Sequence, residues 1–172
     1  MLDTIDSSQT WEQSKLETIN FKIELFGTRW DNVYPQCIVC ANDIEYWRGD
    51  VVENTLVDID IDVEDHCENQ LCIKYYNRDI GRDVIRDAQG TIVKNKQIEI
   101  RSVSLDDIEL PYYDILFSLG CTNYTDIHYY ENFKQDPDEF PLVQNKNTIL
   151  GAEGTWSLSF TTPVYIWLLE NL

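Results

Sequence analysis

The sequence predicts an all-β protein, an antiparallel β-sandwich (jelly roll) with a long irregular loop near the C-terminal third. Three observations predict it. Apolar and polar residues alternate at period two in several short runs, most clearly where Asp58, Asp60 and Asp62 interleave with Ile59, Ile61 and Val63. Gly, Pro, Asn and Asp punctuate the chain roughly every ten residues, the spacing of eight or so short strands. Tyr, Ile, Val and Thr are plentiful, and these residues favour strands over helices.

The first residues, 1–18, are polar and read as an N-terminal arm; residues 19–172 read as one sandwich domain. Phe21, Ile23 and Leu25 alternate with Lys22 and Glu24, a half-buried strand ending at Gly27. The segment from Gly27 to Pro35 is a loop carrying Trp30 and Tyr34. A strand follows from Gln36 to Ala41, then a turn at Asn42-Asp43. A hairpin through Ile44 and Tyr46 is expected to turn at Arg48-Gly49-Asp50. In the run from Asp58 to Val63 one face is core and the other a ladder of carboxylates. Alternate residues on a strand lie about 7 Å apart, which suits an outward, solvated face better than a metal ladder.

The stretch from Leu71 to Leu110 sets two strand patterns around a loop dense in Asn, Asp and Gly. Ile98 and Ile100 fall on even positions, whereas Val103 and Leu105 fall on odd ones. If all four face the core, a β-bulge must absorb a residue near Arg101-Ser102. Ile108 and Leu110 break parity again after Asp106-Asp107, a second kink or a strand end. From Pro111 to Gly154 the periodicity loosens. Tyr124, Tyr129, Tyr130 and Phe133 lie in this stretch and, with Trp30 and Tyr34, are the candidate interface or ligand aromatics. Trp156, Leu158 and Phe160 then alternate as a strand. The apolar ending PVYIWLLENL must be buried in its own fold or against a neighbour.

A chain of 172 residues with 43% apolar content, including 5 Trp, 10 Tyr and 6 Phe, is long enough to bury a substantial core. The formal net charge of −18 is the strongest global signal. Such a field repels phosphate backbones and anionic membrane surfaces, which disfavours nucleic-acid and membrane partners. The opening residues lack the basic and apolar regions of a signal peptide, and no apolar run reaches a membrane span. The expectation is a soluble protein made in a cytoplasm.

Cofactor chemistry has one candidate place. Asp79, Asp83 and Asp87 lie in the loop from Asn77 to Gly90, with Arg78, Arg82 and Arg86 beside them. A flexible loop of carboxylates and carbonyls suits calcium, which takes six to eight oxygens. The same spacing suits a short helix with a charged face, and the arginines are able to satisfy the acids without a metal. The five cysteines make no persuasive metal framework. Cys37 and Cys40 lie three apart on a strand and face opposite sides, so they cannot clamp one metal without a tight turn, and the five read as reduced, mostly buried thiols of a protein made in a cytoplasm.

Catalytic signatures are missing: the chain has no phosphate-binding loop, nucleophile elbow or HExxH zinc helix. Its only histidines are His66 and His128. With 31 acidic residues, a pair at glycosidase spacing carries almost no information. The expectation is a binding or assembly protein, not an enzyme.

The segment from Phe21 to Leu110 resembles two families. The first is a group of small acidic proteins of tailed phages, notably those infecting cyanobacteria, and of some giant viruses. The matching residues are Gly27, Trp30 and Asp31; Leu71, Ile73, Asn77 and Arg78; Asp83, Asp87 and Gly90; and Ile98, Ile100, Val103, Leu105, Asp106, Ile108 and Leu110. The ending GTWSLSFTTPVYIWLLENL also looks like theirs. This resemblance implies a jelly-roll virion structural protein: a capsid decoration (cement) or a tail, fibre or baseplate accessory. It would bind other capsid or tail subunits, be homo-oligomeric, be made in the host cytoplasm and reside in the virion. Contacts between chains would then come from residues 1–18, the loop 122–150 and the C-terminus. The second family is the calcium-dependent xylan-binding carbohydrate modules, also jelly rolls, whose similarity covers only the strand-loop-strand core ending in I-x-[IL]-D. It implies the alternative function, a calcium-dependent carbohydrate-binding module for host-surface adsorption. The arginines between Asp79, Asp83 and Asp87 depart from that pattern.

Overall fold

The computed structural model describes residues 15–79, 82–124 and 142–172. The strands are β1 (Leu16–Thr28), β2 (Gln36–Ala41), β3 (Ile44–Asp50), β4 (Thr55–Glu64), β5 (Glu68–Tyr75), β6 (Val84–Arg86), β7 (Ile92–Asn95), β8 (Gln97–Leu105) and β9 (Ile108–Glu109). A π-helical turn, Tyr112–Leu116, runs into the short helix α1 (Phe117–Leu119). β10 (Cys121–Tyr124), β11 (Val143–Asn145), β12 (Ile149–Leu150) and β13 (Gly154–Thr161) follow, and α2 (Val164–Asn171) ends the chain.

Two antiparallel sheets face each other, as the sequence predicts. One has the order β12-β8-β1-β4, with β9 also on β8; the other has the order β11-β10-β13-β5-β2-β3. The alternation seen in the sequence decides which side chains meet. Ile19, Phe21, Ile23 and Leu25 of β1 join Val57, Ile59, Ile61 and Val63 of β4 and the inner residues of β8. Across the interior lie Val39, Leu71, Ile73, Trp156, Leu158 and Phe160 from the other sheet. The Phe21 and Phe160 rings meet between the layers with centroids 5.5 Å apart. Each such fully buried side chain contributes roughly 1.5–3 kcal/mol of transfer free energy.

The parity break in β8 is a β-bulge at the expected place. Glu24 pairs with Ser102 and Leu25 with Ile100, so Arg101 is the extra residue. Ile98, Ile100, Val103 and Leu105 are all buried as a result. The second break is a two-residue hairpin. Asp106 and Asp107 both take positive φ (46° and 65°), as a type I′ turn requires, and return the chain into β9.

Three expectations need correction. Arg48-Gly49-Asp50 is not a turn but lies inside β3, paired with Gln36 to Ile38. Its Gly49 has a packing reason: a Cβ there would come within 2.8 Å of the Trp47 ring. The segment after Asn77 is neither a helix nor an irregular loop throughout, because β6 and β7 pair as a small hairpin. The first strand already runs at Leu16, pairing with Glu64, so residues 16–18 belong to the sandwich rather than to an arm. Most of the long C-terminal loop, residues 125–141, lies outside the described residues.

Candidate functional site

The acidic loop is built around Asn77. Its Oδ1 accepts the Gln36 N–H at 2.7 Å, and its Nδ2 donates to the Tyr34 carbonyl at 3.0 Å. Its own carbonyl accepts Lys96 Nζ at 2.6 Å. One side chain thus ties the end of β5 to the loop before β2, and its backbone holds a buried lysine. That lysine sits just before β8, on the even positions shared with Ile98 and Ile100. Register therefore drives it inward, and it is fully buried.

The three candidate calcium ligands do different jobs. Asp83 is fully buried. Its Oδ2 lies 2.5 Å from Lys96 Nζ and accepts the Asp79 N–H at 2.9 Å, while its Oδ1 accepts Arg82 Nε at 2.9 Å. Burial raises the cost of this charge. The Asp79 amide, Lys96 and Arg82 outweigh that and hold the carboxyl below its ordinary value. Asp87 is exposed, and its Oδ1 accepts the N–H groups of Gln89 and Thr91, an Asx-type bracing of the β6–β7 turn. Asp79 contributes its backbone, its carbonyl accepting the N–H groups of Arg82 and Asp83. Among the described residues, no group of three His, Cys, Asp or Glu side chains is placed to hold a metal. The cation at the heart of this loop is the Lys96 ammonium, which sequence reasoning missed. Its signal was there: a lysine at the parity of the core residues that follow it.

The aromatic candidates are also divided. Trp30 lies in the loop between β1 and β2. It is buried, it forms an antiparallel bridge with Val33 around Asp31 and Asn32, and Lys94 Nζ covers its ring 4.6 Å from the centroid. Tyr34 is half-buried against the Asn77 bracket. Tyr124 closes β10, its hydroxyl donating to Gln144 Oε1 at 3.0 Å. Tyr129, Tyr130 and Phe133 lie outside the described residues. Beside Trp30, a shallow open groove of about 300 Å³ is lined by Thr28, Ile92, Val93, Lys94, Asn95 and Gln97.

The apolar C-terminus has two faces. Val164, Trp167 and Leu168 pack into the end of the sandwich, with the Trp167 ring 6.3 Å from Phe160. Glu17 accepts the Val164 N–H at 3.2 Å. The opposite face shows Tyr165, Ile166, Leu169 and Leu172 to solvent, at 52, 53, 82 and 63% exposure. Their i, i+1, i+4, i+7 spacing puts all four on one side of the helix. Acids border them: Glu170 on the helix itself, and Asp106, whose Oδ2 accepts the Tyr165 hydroxyl.

No family model matches this chain, and no curated protein matches it. Among solved structures, a chain described as "vCBM60 in complex with galactobiose" is similar over 81% of this chain and 96% of that one. The TM-score is 0.44 and the identity 8%.

Proposed function

We propose that this chain is a non-catalytic subunit of a viral particle, a capsid decoration or tail and baseplate accessory, that works by docking on other particle proteins. One observation carries the reading: α2 is apolar on almost every side, yet half of it faces solvent on a chain of net charge −18. A helix apolar all round is a helix to be covered. The acids around the exposed face favour an apolar surface rimmed by Lys or Arg over a second copy of so acidic a chain. The resemblance to tailed-phage proteins supports the same reading, and the charge keeps the subunit off packaged DNA. In this reading the protein is made in the host cytoplasm and ends in the virion. Mass spectrometry of purified particles tests it. The chain should be present, and Leu169→Glu should remove it from particles while leaving its own unfolding midpoint unchanged. Its absence from particles would overturn the reading.

A second reading, glycan binding at the host surface, is favoured by the groove beside Trp30. Thr28, Lys94, Asn95 and Gln97 give it hydrogen-bonding walls suited to a neutral polymer. With Lys96 holding Asp83, such binding would proceed without calcium. A glycan array run with and without calcium tests this reading, and silence in both arms would count against it.

A further inference from the structure

Cys40 of β2 stands directly opposite Cys72 of β5. Two residues along in the same register, the Asn42 N–H donates to the Gln70 carbonyl at 3.0 Å, which marks a hydrogen-bonded pair. By the two-residue repeat of an antiparallel ladder, Cys40 and Cys72 form another. Facing residues in such a pair have Cα atoms about 5.5 Å apart, within the span of a disulfide, and their Cβ atoms, about 5.5 Å apart, must close by roughly 1 Å for the bond to form.

Both side chains project from the outer face of the six-stranded sheet, since their neighbours Val39, Ala41, Leu71 and Ile73 point into the core. Other pairings are disfavoured by geometry. Cys37 lies on the core face. Cys121 shares the outer row but is separated from Cys72 by Ser157 of β13, two strand spacings or about 10 Å away.

We propose that Cys40 and Cys72 are a cross-strand oxidation site, converted to a disulfide by exchange with a low-molecular-weight disulfide such as glutathione disulfide. One thiolate attacks the external disulfide and releases one thiol, leaving a mixed disulfide. The second thiolate attacks the protein sulfur of that mixed disulfide and releases the other thiol. The S–S bond between Cys40 and Cys72 forms as the external one breaks. The two thiol protons and two electrons end on the released thiols. Burial raises both cysteines, Cys72 to about 11, and leaves them only 2 and 4% exposed, so closure is slow at neutral pH. The bond would staple the two neighbouring strands across the loop from residue 40 to residue 72.

The test uses the full chain by two routes: incubation of the folded protein with glutathione disulfide at alkaline pH, and refolding in a glutathione redox buffer. Both should give a product lighter by two hydrogens, with peptide mapping showing the 40–72 link. Cys40→Ser and Cys72→Ser should each abolish the link; Cys121→Ser should not. The oxidised protein should have a raised denaturation midpoint, equivalent to roughly several hundredfold in the folding equilibrium and reversed by dithiothreitol. Free thiols or glutathione adducts alone by both routes, or a link through Cys67 or Cys121 instead, would overturn the proposal.

Discussion

The ammonium of Lys96 lies 2.5 Å from Oδ2 of Asp83, and neither side chain has exposed surface. An acidic loop that looks from its sequence like a calcium site therefore carries its own cation. The pair holds the base of the β6–β7 hairpin to the start of β8, because the Lys96 N–H also donates to the Asp83 carbonyl at 3.0 Å.

Removing one member of this pair leaves the other charged and buried. Asp83→Ala is expected to cost about 3–5 kcal/mol, read from urea unfolding. Lys96→Met should cost less when combined with Asp83→Leu than alone, since the double change removes both charges. Millimolar calcium should leave the wild-type midpoint unchanged. A calcium-induced rise would show that the loop takes a metal despite Lys96.

Stability should fall at both ends of the pH range, for different groups. Asp83 is held below its ordinary carboxyl value, so below about pH 4 the unfolded chain binds the proton more readily than the folded one. Its contribution is full above that point and is lost as pH falls through the depressed value. Cys37 and Cys72 are pushed up from 9.0 to about 12 and about 11 by burial. Above pH 9 the unfolded chain ionises first, and stability declines with rising pH. Denaturation midpoints measured across pH should form a plateau between these limits. Asp83→Asn should flatten the acid limb and leave the alkaline one in place.

Period two explains why the sandwich was legible. In β1, β4 and β8 every inward residue shows in the alternation, and the parity break at Arg101-Ser102 located a bulge. The Arg48-Gly49-Asp50 segment misled because Gly and Asp signal turns, whereas here Gly49 makes room for Trp47 within a strand. The site was less legible because its chemistry comes from residues far apart in sequence. Asn77 reaches Tyr34 and Gln36, and Asp83 reaches Lys96, contacts that no local pattern encodes. The motif residues Gly27, Trp30, Asn77 and Asp83 now have structural jobs. A Cβ on Gly27, for example, would fall 1.8 Å from the Val51 carbonyl oxygen.

The two faces of α2 should separate in mutagenesis. Trp167 is 6% exposed and packs on Phe160, so Trp167→Ala should cost about 3–5 kcal/mol of stability. Leu169 is 82% exposed, so Leu169→Ala should change stability by no more than about 0.5 kcal/mol. Circular-dichroism melts of the two variants make the comparison. Equal losses would mean that the exposed face is covered within the chain itself, which would remove the basis for the docking surface.

The carboxylate ladder has a role that its position explains. β4 pairs with β1 from Thr55 to Glu64 and has no other strand partner among the described residues, so it is a long sheet edge. An open edge of that length invites pairing with another chain, and charge on it discourages this. Asp58, Asp60 and Asp62 supply that charge, held in place from β1: the Asn20 amide donates to Asp58 and Asp60 at 2.8 and 2.9 Å, and the Thr18 hydroxyl donates to Asp62 at 2.6 Å. Changing all three to Thr keeps strand propensity and removes the repulsion. The triple variant should fold but associate as its concentration rises, visible in light scattering, while the parent keeps a constant mass over the same range. If the variant holds the parent's mass throughout, the ladder does not guard this edge.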